Sequence, residues 1–497
     1  MPSDSEGTLP HLSAGRRIFS FPVMIAGLLA VLAVLTVQSR FDDPDMWWHL
    51  KTGQLIWTTH HIPTTDIFSY TTHLHAYVPH EWLSQLLIYG AYRVAGYSGL
   101  MAWLCFFTAA ILIAGYALCS RYSGNAKIAF LGALVIWLFS TVGLSIRPQM
   151  IGYLLLLVEL LLLHQGITRS PRWFYALPPL FAVWVNCHGS FFLGLILAAT
   201  FLFSSFFHFR TGSLVGHEWG PQHRRTLGLA LGLSICALFL NPIGIHQILY
   251  PLDTLLHQPI GLANSDEWQA LQLNDPRGLA LLAVLGCIGL TILIRRSELF
   301  WHELLFLLLG TWLAAGHRRM LFVFGILVAP ILCRLVADLW DYYEPERDLP
   351  TANAVLLVLS LTAVYFAFPR PTDLEAQVQA RSPSRAVEFI QSHHLSGPIV
   401  NEYAYGGYLI WAAPDYPVFV DGRADVFEET GVLADFGNWA MLQAPPADLL
   451  NRYHVNLCLL SKNSPMRFVL PLVPGWTLAY SDDLSVVFVR IPTITPN

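Results

Sequence analysis

The stretch 42-DDPDMWWHLKTGQLIWT-58 follows directly on an apolar run at residues 19–38, and this junction decides how the chain is read. The run is long enough for one helical crossing, which takes about 17–25 apolar residues. Arg16 and Arg17 precede it and no small-residue cleavage pattern stands before Arg40, so it reads as an uncleaved first helix rather than a signal peptide. Asp42, Asp43 and Asp45 emerge immediately after it, followed by Trp47 and Trp48 at the level of an interfacial aromatic belt. Residues 45–58 predict a helix lying in the interface, with Trp47, Leu50, Leu55 and Trp57 partly buried. The connection runs on to about residue 98, far longer than a simple turn, and carries Asp66, His73, His75, His80 and Glu81.

Composition agrees with a membrane setting. Of 497 residues, 55% are hydrophobic and 12% charged, against about 25% charged in soluble domains. That excludes a single soluble globule and a disordered chain. A net charge of -5 gives no sign of nucleic-acid binding. The seven cysteines lack metal-type spacing and read as small core hydrophobes.

Further apolar runs lie at 99–119, 128–145, 149–165, 173–187, 190–208, 226–241, 278–294, 300–315, 319–337 and 352–368. The expected fold class is an α-helical polytopic membrane protein of about eleven transmembrane helices with a small C-terminal α/β soluble domain. Placing Arg16 and Arg17 in the cytoplasm also places Arg121, Lys127, Arg169, Arg172, Arg210, Arg224, Arg225, Arg295 and Arg296 there. Residues 1–18 are then a cytoplasmic N-terminus, 19–368 the transmembrane domain with its outer loop 39–98, and 369–497 an outer, periplasmic domain. On this topology the stretches 79-PHEWLSQ-85, 147-RPQM-150, 186-NCHGS-190, 241-NPIGIHQ-247, 266-DEWQ-269 and 317-HRRM-320 share the outer face with the acidic motif. One-sided clustering of scarce polar residues predicts a site at the outer leaflet.

In the C-terminal region, residues 382–394 predict a helix, and 398–401, 417–420, 456–460, 476–480 and 484–490 predict strands. Helical stretches are expected around 432–442 and 446–453. Gly406-Gly407 could pack a helix closely or bind an anion, and Asp421, Arg423 and Asp425 follow an expected strand end. An ion-paired turn beside a packing glycine pair is the preferred reading, because ion pairs are often merely structural.

Asp43, Asp45 and Glu81 are the candidate catalytic residues. A carboxylate cluster at a membrane surface can deprotonate a hydroxyl or hold a hard cation such as magnesium, manganese or calcium against a phosphate. The aspartates could equally cap the interfacial helix. Arg147, Arg318 and Arg319 run against the positive-inside trend and suit a lipid phosphate, although headgroup snorkelling also places arginine there. His188 and the other histidines show no zinc spacing, and no metal ligand set is assigned. P-loop and G-x-S-x-G motifs are absent.

Taken together, 43-DPDMWWHL-50, 66-DIFSYT-71, 80-HEWLSQ-85, 184-WVNCHG-189 and the outer arginines resemble the glycosyltransferase C superfamily over roughly residues 19–340. The likeness is greatest to bacterial members with dolichyl-mannosyltransferase-like or lipopolysaccharide-sugar-transferase-like domains. The resemblance implies transfer of a sugar from a polyprenyl-phosphate donor to a glycan, lipid or protein acceptor at the outer leaflet of a bacterial inner membrane, usually with inversion. It implies Asp43 and Asp45 as base or metal ligand, with magnesium or manganese the ions in view, and Glu81 as a second acid. It further implies Arg318 or Arg319 on the carrier phosphate, with Arg147, His188, Trp47 and Trp48 lining the substrate site. Membrane lipids are the surrounding partners and nucleic acid is not one. A Trp-Trp-Asp signature is absent from the C-terminal domain, which speaks against the oligosaccharyltransferase branch. The alternative is a transporter or lipid flippase, which would need midplane ionisable groups and repeats. No repeat is found, and Glu159 is the main acidic residue deep in a helix.

Overall fold

The computed structural model describes residues 17–264 and 266–491. Residues 1–16, most of the expected cytoplasmic N-terminus with its Arg16, lie outside them. The fold is mostly helical, with a small sheet domain at the C-terminal end.

Each apolar run coincides with a helix. Trp82–Ser123, Gln149–Thr168, Pro276–Arg295 and Pro350–Ala367 are long and apolar enough to cross a membrane, by length and composition. Phe21–Val37, Ala126–Ser140, Phe191–Ser204 and Trp301–Gly316 are shorter apolar helices. Leu177–Cys187, with 11 residues, rises only about 16 Å. The expected eleven crossings therefore rest on helices of very unequal length. Leu321–Leu335 is buried along nearly its whole length between Trp82–Ser123, Ala126–Ser140 and Trp301–Gly316. Pro276–Arg295 and Pro350–Ala367 expose most of their leucines and valines, as helices facing lipid do.

The helix after the acidic motif forms at Met46–Thr59. Trp82–Ser123 breaks at Ala95 and Gly96, so residues 82–94 pack beside Met46–Thr59 before the second apolar run begins. Of the expected aromatic belt, only Trp57 behaves as one. It is exposed and carries the Arg93 guanidinium 4.7 Å above its ring. Trp47 and Trp48 are buried instead. Trp47 meets Phe41, Tyr97 and Tyr408 edge-on, because the C-terminal domain covers this face of the helix. Gly407 permits the contact. A Cβ there would lie 2.5 Å from the carbonyl oxygen of Pro44, and backbone cannot yield as a side-chain tip can.

Among the described residues seven strands form two sheets. β1 (Phe209–Thr211), β2 (Leu214–Gly216) and β3 (Leu299–Phe300) make a small sheet tying two loops together. β4 (Ile399–Asn401), β5 (Leu457–Ser461), β6 (Trp476–Ser481) and β7 (Ser485–Arg490) form the second, in the order β4-β5-β7-β6. β4 runs parallel to β5, and β7 is antiparallel to both its neighbours. The strand expected at 417–420 does not join this sheet, although Val418, Phe419 and Val420 are fully buried. The Asn401 side chain takes the place of a neighbouring strand. Its Oδ1 accepts from Phe419 N at 2.8 Å, and its Nδ2 donates to Val420 O at 2.7 Å. The other edge of 417–420 pairs with the first outer loop. Tyr70 N donates to Val418 O, and Val418 N to Phe68 O.

The sheet domain thus draws on two segments separated by most of the chain. Tyr77 from the outer loop shares a core with Val400, Phe419, Phe427 and Cys458. At its centre Arg423 holds Asp421 through Nε at 2.8 Å and Nη2 at 2.6 Å, and Asp66 through Nη1 at 2.6 Å. All three side chains are buried. Ser69 and Thr72 also donate to Asp66. The preferred ion-paired reading of 421–423 is what the structure contains, with its second carboxylate supplied from the other end of the chain.

Candidate active site

Asp45 occupies the N-cap position of Met46–Thr59, yet its carboxylate makes no capping bond. Asp43 Oδ1 accepts from Asp45 N at 2.9 Å, a local turn that aims both carboxylates the same way. They meet Arg147, which projects from the turn between Ala126–Ser140 and Gln149–Thr168. Arg147 Nε lies 2.5 Å from Asp43 Oδ2, and Nη2 lies 3.0 Å from Asp45 Oδ2. The third nitrogen, Nη1, stands 3.5 Å from Glu267 Oε1. The other oxygen of Glu267 is 3.6 Å from Arg319 Nη1. Arg319 also donates to Gln149 Oε1 and has the Trp268 ring 5.8 Å from its guanidinium carbon. His317 holds the Trp268 carbonyl at 2.9 Å.

The acidic motif and Arg319 therefore converge, bridged by Arg147 and Glu267. Arg318 does not join them. Its backbone N–H bonds Gln269 O, and its charge acts on Asp275, which caps Pro276–Arg295. Each of the three Arg147 nitrogens faces a carboxylate.

Glu81 lies on the same side, at the start of Trp82–Ser123, surrounded by three imidazoles. His188 Nε2 is 3.5 Å away, His80 Nε2 3.7 Å and His49 Nδ1 3.8 Å. Burial pushes the Glu81 carboxyl up to about 8, despite the opposing pull of Arg319 and Arg147. Burial also lowers His80 to about 4 and moves His49 and His188 well down. At neutral pH these are uncharged groups around a protonated acid, not ion pairs. The segments 80-HEWLSQ-85 and 184-WVNCHG-189 hold the cluster in register. Trp82 Nε1 donates to Asn186 Oδ1 at 2.8 Å, and Ser84 Oγ to Cys187 O at 2.7 Å. His188 is fixed by Ser190 Oγ at 2.8 Å from Nδ1.

Asp45 is different in kind from Asp43. Its side chain keeps about a fifth of its exposure, whereas Asp43 is buried. Burial raises Asp45 to about 6, with Arg147 pulling it down and Asp43 and Glu267 pushing it up. A carboxylate with that value is ionised at pH 7 yet retains appreciable basicity.

The C-terminal domain closes the site. Gly422 lies against Asp45, where a Cβ would fall 2.0 Å from Oδ1. Asp425 accepts from the Tyr250 hydroxyl at 3.2 Å, and Tyr250 stacks on His80 with ring centroids 3.7 Å apart. Burial pushes Asp425 up to about 6. Glu428 accepts from the backbone N–H groups of Ile260 and Gly261, fastening the helix Pro259–Asn264 to this domain.

The carboxylates do not fit a divalent ion as they stand. Among the described residues no group of three or more His, Cys, Asp or Glu is set to hold a metal, and Arg147 fills the space between Asp43, Asp45 and Glu267. Glu159 stands apart. It is buried in Gln149–Thr168, with neither oxygen hydrogen-bonded, beside Trp184 and Gly194.

Three participants were not among the sequence candidates. Glu267 is an acid in the outer 266-DEWQ-269 stretch, Gln149 stands two residues after Arg147, and His49 follows the tryptophan pair. The polar stretches were visible signals. Their convergence was not.

No family model matches the chain, and no curated protein does. Solved structures do match. The oligosaccharyltransferase of Archaeoglobus fulgidus, tethered to an acceptor peptide containing the NVT sequon, aligns with a TM-score of 0.53 at 13% identity, over 90% of this chain and 70% of that one. The Archaeoglobus fulgidus oligosaccharyltransferase AglB in complex with an inhibitory peptide and a dolichol-phosphate aligns with a TM-score of 0.52 at 12% identity, over 88% and 69%. The mycobacterial arabinofuranosyltransferase AftD aligns with a TM-score of 0.50 at 14% identity, over 95% of this chain and 41% of that one. At such identities the likeness is one of fold. The chain shares the fold of these solved proteins.

Proposed function

We propose that this chain is a membrane glycosyltransferase, moving a sugar from a polyprenyl-phosphate donor to a glycan, lipid or protein acceptor with inversion. The observation that carries the reading is the convergence of Asp43 and Asp45 with Arg319 through Arg147 and Glu267. The fold supports it, since the similar solved proteins include an arabinofuranosyltransferase and an oligosaccharyltransferase bound to dolichol-phosphate.

In this reading Asp45 is the base. The acceptor oxygen bonds the anomeric carbon as its proton passes to Asp45, and the bond from that carbon to the phosphate oxygen breaks. The polyprenyl phosphate leaves as an anion beside Arg319, whose planar fork suits phosphate oxygens. Asp43 and Arg147 position Asp45. Glu81, neutral among neutral imidazoles, is a hydrogen-bond donor toward the sugar or the acceptor. The basic loops support a cytoplasmic N-terminus, about eleven crossings, and a site facing the periplasm of a bacterial inner membrane.

The test is transfer from labelled polyprenyl-phosphate sugars by purified protein in lipid. Wild-type protein is expected to release polyprenyl phosphate with one donor and an added membrane acceptor fraction, and Asp45→Asn is expected to abolish release. Labelled lipid or sugar crossing a proteoliposome membrane without a covalent product would replace this reading with a transporter.

A further inference from the structure

We infer that Asp425 is a specificity-determining residue, carried to the site by the C-terminal domain to accept a hydrogen bond from a ring hydroxyl of a sugar. It stands in the first turn of the helix Ala424–Glu429. The turn before it is held firmly. Arg423 commits Nε and Nη2 to Asp421 and Nη1 to Asp66, which leaves Asp425 without a direct arginine bond. Its partner is instead a neutral group, the Tyr250 hydroxyl at 3.2 Å. A half-buried carboxylate paired in this way retains acceptor capacity, since a carboxylate offers roughly four lone-pair sites. The position is also close to the proposed base. Gly422 lies against Asp45 Oδ1 at one end of the turn, and Asp425 meets Tyr250 at the other. Three residue steps span at most about 11 Å, so one small ligand can touch both ends.

The helical part of the chain supplies matching chemistry around Tyr250. The Tyr250 ring stacks on His80 with centroids 3.7 Å apart, and His80 Nε2 lies 3.7 Å from Glu81 Oε1. Gln247 stands three residues before Tyr250, on the same face of the helix Ile245–His257. Its Nε2 donates to Val185 O at 2.6 Å and to His80 O at 3.4 Å. Its Oε1 is buried and has no hydrogen-bond partner among the described residues. A buried acceptor left without a donor is costly, and a ligand hydroxyl is a donor. A protonated Glu81, the Gln247 amide oxygen and the Asp425 carboxylate are the donor and acceptors that a polyhydroxylated ring requires. For the class of ligand this assignment rests on the proposed transfer, and binding rather than turnover tests it.

The experiment measures calorimetric binding to the full-length purified protein in detergent. The probes are undecaprenyl phosphate linked to glucose, mannose, galactose or arabinose, the bare undecaprenyl phosphate, and the methyl glycosides of the same sugars. Wild-type protein is expected to bind one lipid-linked sugar more tightly than the bare carrier, or to bind one methyl glycoside. Asp425→Asn is expected to lower that sugar-dependent affinity about 10–100-fold, the worth of a hydrogen bond to a charged group, with the bare carrier bound as before. Loss on the lipid-linked probe assigns Asp425 to the donor sugar, and loss on the methyl glycoside assigns it to an acceptor sugar. Tyr250→Phe keeps the ring on His80 but releases the carboxylate, and should lower the same affinity about 2–10-fold. Size-exclusion profile and thermal transition establish that the variants are folded, and Asp425→Ala serves should Asp425→Asn not fold. A folded Asp425 variant with wild-type affinity for every sugar probe would overturn the assignment. So would equal losses for the bare and sugar-linked carriers, or a wild-type protein indifferent to the sugar. Covalent product alongside any of these results would leave the transfer reading standing, whereas sugar-dependent affinity lost in Asp425→Asn without any covalent product would do the reverse.

Discussion

Arg147 Nη2 stands 3.0 Å from Asp45 Oδ2, close enough to hold the carboxylate yet leaving it partly open to the site. On the proposed reading the base is Asp45, whose side chain keeps about a fifth of its exposure, while Asp43 is buried. Asp45→Asn is therefore expected to lower transfer by about 10²–10⁴-fold, the usual worth of a positioned base, with an unchanged thermal transition. The rate should rise with pH through about 6, where Asp45 ionises. It should fall above about 8, where Glu81 loses its proton. A Glu81→Gln variant that retains activity should lose the alkaline limb and keep the acidic one.

Arg319 and Arg318 are neighbours with different surroundings, and the difference is testable. Arg319→Gln is expected to cost about 10²–10³-fold in transfer, by analogy with losing one donor to a developing anion. Arg318→Gln, whose charge acts on Asp275, should remain within a few-fold of wild type. Equal losses in the two variants would remove Arg319 from its assigned place.

Glu81 links pH to stability in a direction that can be worked out. Burial raises its folded value to about 8 from 4.5. Between these values the folded state binds more protons than the unfolded one, so stability declines as pH rises through the window. Glu81→Gln removes the titration. The Tm of the variant should fall less than that of wild type between about pH 5 and pH 8.

Arg423 bridges Asp421 and Asp66 with almost no exposure. Arg423→Met strands two buried carboxylates and should cost about 3–5 kcal/mol. Restoring neutrality with Asp66→Asn and Asp421→Asn should recover part of that loss, as read from thermal unfolding of the triple variant.

The outer loop and the C-terminal region fold as one unit, which predicts the effect of truncation. Ending the chain at residue 368 removes the partners of Phe68, Tyr70 and Tyr77. Limited proteolysis should then cut within residues 60–80, a segment expected to resist in the full chain. A smaller lesion acts at the contact itself. Gly422→Ala puts a methyl group 2.0 Å from Asp45 Oδ1, and should lower transfer at least about tenfold, since displacements near 1 Å are costly in an active site.

Much of this protein was legible in its residues. Each apolar run coincides with a helix, because a helix bordering lipid must be apolar over its exposed face, whereas Ile245–His257 lay outside every such run. The return of charge, proline and glycine pointed to the small sheet domain near the C-terminal end, and residues 45–58 announced the helix Met46–Thr59. Local rules read these features because each depends on neighbours along the chain. The strand expected at 417–420 shows where such rules stop. Its residues have the apolar character of a strand, but the partner that satisfies their backbone is a side chain, Asn401, together with a loop some 350 residues earlier. Trp47 and Trp48 show the same limit, since burial under the C-terminal domain depends on Gly407 lying flush against Pro44.

What only the tertiary structure decided is the division of labour among the scarce charges. The sequence by itself determined that acids and arginines gather in a few polar stretches between apolar runs. It did not say which acid each arginine meets, because that depends on how helices far apart in the chain pack. Three carboxylates ended on Arg147, the bridge to Arg319 passed through Glu267, and Arg318 turned away. The reason is physical. A buried charge must find its opposite within contact distance, and packing, not sequence proximity, fixes who stands within reach.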